Sequence, residues 1–259
     1  AMESDYDYSS AIFGSDLTDP VEIGRSAADR ALKKLGARKP PSAKVPVVFD
    51  PRVSGGLVRH LTSAINGAAI ARGTSFLKDK MGQAVMSSGI TIVDDPHRAR
   101  GLASKPFDAE GLANNRRNLV ENGILQTWIL DLRAARQLGL TSTGHASRGT
   151  SSPPSPSTTN LHLETSTVSP TDLISDIKSG FYITSVMGMG VNMVTGDYSR
   201  GASGFWIENG QIAYPVNEVT IAGNLMDMFL AMTPADDLDF KYATNAPTIR
   251  IDGMMVAGT

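Results

Sequence analysis

Apolar positions along the chain follow two periods, one near 3.6 residues and one near 2. The stretch PVEIGRSAADRALKKLG (20–36) reads as one amphipathic helix, with Asp19 as N-cap, Pro20 at the first helical position, Glu22 as the capping acid and Gly36 as the stop. VPVVFD (45–50) is a β-branched run of the buried-strand type. In GLVRHLTSAINGAAIARGTSF (56–76), Leu57, Leu61, Ala64, Ile65 and Ala68 form one apolar stripe, with His60 beside it and no acid in the segment. ITIVDDP reads as a strand. NLVENGILQTWILDL and GFWIENGQIAYPV read as hairpins about Asn122-Gly123 and Asn209-Gly210, the strongest short hairpin signal.

The second half continues with strands at NLHLE, FYITSVM and PTIRIDGMMVAG, and a helix capped by Ser169-Pro170 with Asp172 as its box partner. TIAGNLMDMFLAM (220–232) has helical spacing, and its methionines Met226, Met228 and Met232 beside Phe229 suit a packed core. TSTGHASRGTSSPPSPSTTN (141–160) is too rich in Ser, Thr and Pro for regular structure. No fixed-period repeat and no internal boundary emerges. The pattern predicts an α+β fold, with a large, mainly antiparallel or mixed sheet and helices packed on one side, as one domain over 1–259 with 1–18 as a lead-in.

Composition narrows the partners. Lys and Arg number 24 against 26 Asp and Glu, a net charge of −2. There is no global basic field of the kind that neutralises phosphates, which makes nucleic acid a poor partner. Cysteine is absent, so disulfides, thiolate zinc sites and a cysteine nucleophile are excluded together. No apolar run reaches the roughly 20 residues that cross a bilayer, and AMESDYDYSS lacks a signal peptide's basic and apolar regions. These features predict a cytoplasmic chain with no membrane partner.

Candidate chemistry is sparse. A zinc site on a helix needs two ligands on one face, three to five residues apart. None of His60, His97, His145 and His162 has a second histidine that close. Asp94, Asp95 and His97 form a local cluster, but DDPHRARG reads more simply as a solvated turn. His145, flanked by glycine and hydroxyls in TGHASRG, is the best candidate for a base, yet no G-x-S-x-G elbow presents a serine to it, and it reads as an exposed loop residue. GMGVNMVTGDYSRGASG (188–204) lacks the third glycine of a dinucleotide fingerprint, because Met193 stands there, and no Gly-Lys-Ser/Thr follows for a P-loop. It is a loop in which one backbone can approach another, either a connector or a binding surface.

The segments VVFDPRVSGGLVRHL, ITIVDDP, FDAEGL, NLVENGIL, STGHASR, TNLHLE, VNMVTGDYSRGASGFWIENGQIAYPV and TIAGNL, in this order, resemble the TldD/PmbA family, in particular its PmbA (TldE) branch. The likeness runs from about residue 17 to the end, and its most specific part is VTGDYSRGASGFWIENG. It implies a TldD-type and a PmbA-type subunit as partners in a cytoplasmic zinc metallopeptidase acting on unfolded or small peptides, including precursors of peptide toxins. TldD-type chains carry His-Glu-x-x-x-His on the helix before a Lys/Arg-Gly-Thr-Ser turn. With that turn set on Arg72-Gly73-Thr74-Ser75, the first histidine falls at Val58, the glutamate at Arg59 and the second histidine at Ser63.

All three functions are therefore missing by this resemblance, and the family's cysteine ligand cannot exist in this chain. His60 falls one place past the base position, about 100° around the helix. The resemblance implies no catalytic residue and no metal here, with zinc in a TldD-type partner. It also implies a further N-terminal α/β domain, which these residues do not supply, so the chain reads as a fragment. Asn192, Thr195, Gly196, Asp197, Tyr198, Arg200 and His145 become candidates for peptide binding or for the subunit interface. Pairing with a second copy stays open for the isolated chain. Two rival readings also stay open: a stand-alone hydrolase using His145 with a nearby serine, and a DNA-associated regulator after the family's gyrase-modulator label.

Overall fold

The structure, a computed structural model, describes residues 2–258. Residues 2–10 form no regular secondary structure and alternate in exposure, with the odd positions turned inward. A 3-10 turn (Gly14–Asp16) leads to α1 (Pro20–Lys33), where the Asp19 carboxylate accepts from the Val21 N–H and Gly36 takes φ +76° just past the end. β1 (Ala43–Phe49) follows, and the register slips between Val45 and Val47, across Pro46, which cannot donate to the ladder.

Asp50 then caps α2 (Pro51–Ala64), accepting from the Arg52 N–H. The helix expected over 56–76 is two helices. Asn66 breaks it by capping α3 (Gly67–Ala71), its side chain accepting from the Ala68 N–H. The chain continues through β2 (Ile92–Asp94), β3 (Arg117–Glu121), β4 (Ile124–Leu125) and α4 (Leu132–Leu138). Two short strands, β5 (Ala146–Ser147) and β6 (Ser155–Pro156), pair within the segment read as irregular, and β7 (Leu161–Leu163) follows.

After α5 (Pro170–Ile174) come the long strands β8 (Ser179–Met187), β9 (Asp197–Glu208) and β10 (Gln211–Asn224). Two further expectations are corrected here. The segment 188–204 is a loop only to Gly196, and β10 runs through residues read as helix, so that α6 is only Leu225–Leu230. β11 (Met232–Pro234), β12 (Thr244–Asn245) and β13 (Ile249–Ala257) complete the chain.

The six-stranded sheet has the order β1-β8-β9-β10-β13-β11, and β13 also pairs with β1, which closes the sheet on itself. All its pairings are antiparallel except β1 with β8. A second sheet has the order β12-β7-β2-β3-β4. This is the α+β fold with a mainly antiparallel, mixed sheet that the pattern predicts. Both hairpin turns form as read: Asn122 and Gly123 have φ 49° and 80°, Asn209 and Gly210 have φ 50° and 75°, the geometry of a type I′ turn.

α2 lies against β8 of the first sheet and β12 of the second. Its stripe buries Leu57, Val58, Leu61 and Ala64 in one core with Phe49, Phe181, Leu119 and Leu163. Gly55 permits the fit, since a Cβ there would lie 3.2 Å from the Thr244 carbonyl. Met228, Met232 and Phe229 are buried in the same core and Met226 packs against it, as their spacing suggests.

Candidate functional site

α2 is the element on which the motif positions fall, and its geometry decides what they can do. Val58 faces the core and is buried. Arg59 is exposed, and the Ser63 hydroxyl donates to the Arg59 carbonyl at 2.9 Å. A buried hydrocarbon, a guanidinium and a hydroxyl bonded to its own helix do not fit a zinc ion, which takes imidazole, thiolate or carboxylate ligands. Downstream, the Arg72-Gly73-Thr74-Ser75 turn anchors the helix pair. Gly73 takes φ +70°, and the buried Ser75 hydroxyl donates to the Ala64 carbonyl at 2.6 Å and accepts from the Leu77 N–H at 3.0 Å.

His60 leaves this line and packs edge-on against the Tyr198 ring, centroids 5.9 Å apart. Burial first, then the positive charges of Arg200 and Arg59, push its pKa down to about 4. Burial pushes Tyr198 up to about 12, against the pull of Arg200.

His145 is not the exposed loop residue expected. It is buried, with its Nε2 3.2 Å from Asp94 Oδ2 and its Nδ1 2.8 Å from the Thr143 hydroxyl. Asp94 is buried too, accepting from the Thr159 N–H at 2.6 Å and the Thr159 hydroxyl at 2.9 Å, so the solvated turn begins only at Asp95. The arrangement orders carboxylate, imidazole and hydroxyl in a line. Its hydroxyl, however, belongs to a threonine that accepts from the Leu130 N–H at 2.8 Å deep in the fold. The line ties β2 to the 141–160 segment and presents no serine. His97 turns to Asn114 Oδ1 at 2.8 Å, and His162 lies buried in β7 against the Phe240 ring. Among the described residues, no three His, Cys, Asp or Glu side chains gather where they could hold a metal.

The loop 188–196 folds back on itself. Asn192 Oδ1 accepts from the Val194 and Thr195 N–H groups, and the Thr195 hydroxyl donates to Asp197 Oδ2 at 2.6 Å. The Gly196 carbonyl receives the Leu225 N–H at 2.7 Å, and Asn224 Nδ2 donates to the Thr195 carbonyl, so the loop buttresses the start of α6. A close backbone approach does occur, at Gly190, where a Cβ would collide with the Ser199 carbonyl. The candidates separate by exposure: Asn192, Thr195 and Asp197 are exposed, Arg200 is half-buried, and Gly196 and Tyr198 are buried.

Comparison with known proteins settles the lineage. Residues 42–258 match the family model of the PmbA/TldA metallopeptidase C-terminal domain. The chain belongs to the PmbA/TldD family. It is similar to Metalloprotease PmbA of Escherichia coli O157:H7, 40% identical over 258 residues, covering 99% of this chain and 55% of that protein. A Haemophilus influenzae homologue of that protein is likewise 40% identical, over all of this chain and 56% of its own length. This PmbA/TldD chain thus spans little more than half the length of those relatives. A Bacteroides thetaiotaomicron crystal structure, named as a candidate modulator of DNA gyrase, superposes with TM-score 0.90 at 31% identity, covering 100% of this chain and 57% of the other. TldE from Thermococcus kodakarensis shares the fold, with TM-score 0.82 at 24% identity over 94% of this chain and 56% of its own.

One feature of this PmbA/TldD chain escapes sequence reasoning. Asp5, on the N-terminal segment, pairs with Lys34 at the C-cap of α1 and with Arg52 of α2, each at 2.8 Å, and Asp7 pairs with Arg30 of α1 at 3.1 Å. Burial raises the Asp5 carboxyl, but hydrogen bonds from Lys34 and Arg52 outweigh it and hold the pKa at about 2. The alternation of acids in MESDYDY was the available signal. No helix of the described residues is long and apolar enough to cross a membrane.

Proposed function

We propose that this chain is the non-catalytic PmbA/TldE-type part of a cytoplasmic zinc metallopeptidase assembly that processes or degrades unfolded peptides, peptide-toxin precursors among them. The zinc belongs to a TldD-type partner, and this chain shapes a peptide channel and positions a substrate strand beside it. The observation that carries the reading is α2 itself. It keeps the apolar stripe, the tight packing on β12 and the Arg-Gly-Thr-Ser turn, while Val58, Arg59 and Ser63 offer neither ligand nor base. A cation at Arg59, where a carboxylate base would stand, opposes a divalent metal. Extended substrates suit such an assembly, because main-chain hydrogen bonds to a strand edge bind unfolded peptides with little regard to sequence.

The test is peptide hydrolysis by the chain alone, by a TldD-type partner alone and by the two together. The expected outcome is no hydrolysis by the chain alone, and hydrolysis by the pair that survives His145→Ala within a few-fold. A loss of about 10²–10⁴ on that substitution, the size of a general base's contribution, in a variant whose melting temperature is unchanged would contradict the proposal and favour the hydrolase reading.

A further inference from the structure

Between the N-terminal residues 4–6, the C-cap of α1, α2 and the far end of β8 lies an open cavity of about 590 Å³, within the range of about 300–1,000 Å³ typical of ligand pockets. Lys34, Arg52, Arg59 and Arg200 line it against a single carboxylate, Asp5. Asp5 already pairs with Lys34 and Arg52. Among the described residues the Arg59 side chain has no hydrogen-bond or ion-pair partner, and Arg200 donates only its Nε, to the Met187 carbonyl at 3.3 Å. Two guanidinium groups thus line one cavity without a carboxylate partner of their own, and a ligand carboxylate would supply one.

The second observation concerns the backbone. β1 accompanies β8 only as far as Phe49 opposite Ile183, and at Asp50-Pro51 the chain turns away into α2. Beyond a bulge at Thr184, Ser185 and Val186 carry β8 on along the cavity wall, paired with β9 on one side alone. An open strand edge is a template for an extended peptide. The chain's own N-terminal segment displays the matching side-chain arrangement: its exposure alternates residue by residue, its acids alternate with it, and Asp5 and Asp7 turn inward onto Lys34, Arg52 and Arg30.

We propose that this cavity is a subsite for an extended acidic peptide, which adds to the open edge of β8 and sets a side-chain carboxylate between Arg59 and Arg200. The inference rests on the peptide-positioning role proposed above and names its substrate class. A nucleic acid would use the same cations, but the strand edge favours a peptide, and the chain's net charge of −2 offers no wider phosphate-binding field.

Fluorescence anisotropy on the purified chain tests it, with a labelled ten-residue peptide alternating Glu and Ser, its C-terminus amidated. The same peptide with Gln for Glu should bind at least tenfold more weakly. Arg59→Gln and Arg200→Gln should each weaken binding of the Glu peptide at least tenfold, and Arg59→Gln, at an exposed position, keeps the test valid if Arg200→Gln misfolds. Equal binding of the Glu and Gln peptides, no binding of either, or unchanged affinity in Arg59→Gln would overturn the proposal. So would equal binding of a Gln-Ser peptide with a free C-terminus, which would point to chain-end recognition, or tighter binding of a single-stranded DNA 12-mer. Loss of the subsite with paired peptidase activity intact removes this inference alone. Hydrolysis by the chain alone removes the subunit reading and leaves peptide binding standing.

Discussion

His60 shows how much of a residue's character lies in neighbours the sequence does not bring near. From sequence it is a histidine beside an apolar stripe, one step past a motif position. In the fold it packs against Tyr198, and burial, then the charges of Arg200 and Arg59, take its pKa from the ordinary 6.5 to about 4. The native state then binds fewer protons than the unfolded chain between those values. Stability from a neutral His60 is complete above pH 6.5 and drains away as pH falls toward 4. His60→Gln should therefore show a smaller drop in melting temperature between pH 7 and pH 5 than the unmodified chain. An unchanged drop would mean that His60 does not carry this titration. His145 was less legible still. Its burial depends on Asp94 and Thr143, and only the folded chain brings the first of these, 51 positions away in sequence, within 3.2 Å of the ring.

At the scale of elements, the sequence read well wherever one local signal dominated. The two Asn-Gly turns, the Asp19-Pro20 cap and the Ser169-Pro170 cap each stand where their turn chemistry puts them. The misreadings come from segments where two signals compete. In TIAGNLMDMFLAM the methionine spacing outweighed the period-2 run of Val219, Ile221 and Gly223, which the β9 ladder holds extended as far as Asn224. The boundary was legible in Asn224 itself, whose Oδ1 accepts from the Met226 N–H as an N-cap. Likewise Asn66 was the break in the long helix. Asn224 also reaches the Thr195 carbonyl and Asp197, so it joins the loop 188–196 to α6. Asn224→Ala should cost about 1 kcal/mol for the cap, plus the loop contacts, lowering the melting temperature by at least about 2–4 °C for a chain of this size. A melting point unchanged within error would show that the loop is held by other means.

At the scale of the molecule, the closed sheet and the core around α2 follow from apolar runs visible in the sequence. Closure itself was not visible, because it depends on β13 pairing with β1, β10 and β11 at once. The role of the N-terminal segment is hidden in the sequence for a related reason: its acids matter only through Lys34 and Arg52, 29 and 47 positions on. α1, which these ion pairs help to fasten, buries no residue fully and leaves Val21 and Leu32 exposed, as is Leu35 just past its end. Since Asp5 is held at about 2 in the fold, below its ordinary 3.8, its contribution is present above pH 4 and lost as pH falls toward 2. Asp5→Asn should speed proteolytic cleavage between residues 10 and 18 at pH 7 while leaving the melting of the closed sheet nearly unchanged. Cleavage at the unmodified rate would show that the segment is held without this pair.

The central claim is that α2 keeps the form of a metallopeptidase helix without its metal chemistry, and the zinc content of the purified chain tests it most directly. After mild dialysis, elemental analysis should find well under one zinc per chain. One tightly held zinc per chain, lost on His60→Ala, would contradict both the claim and the placement of Val58, Arg59 and Ser63 on which it stands.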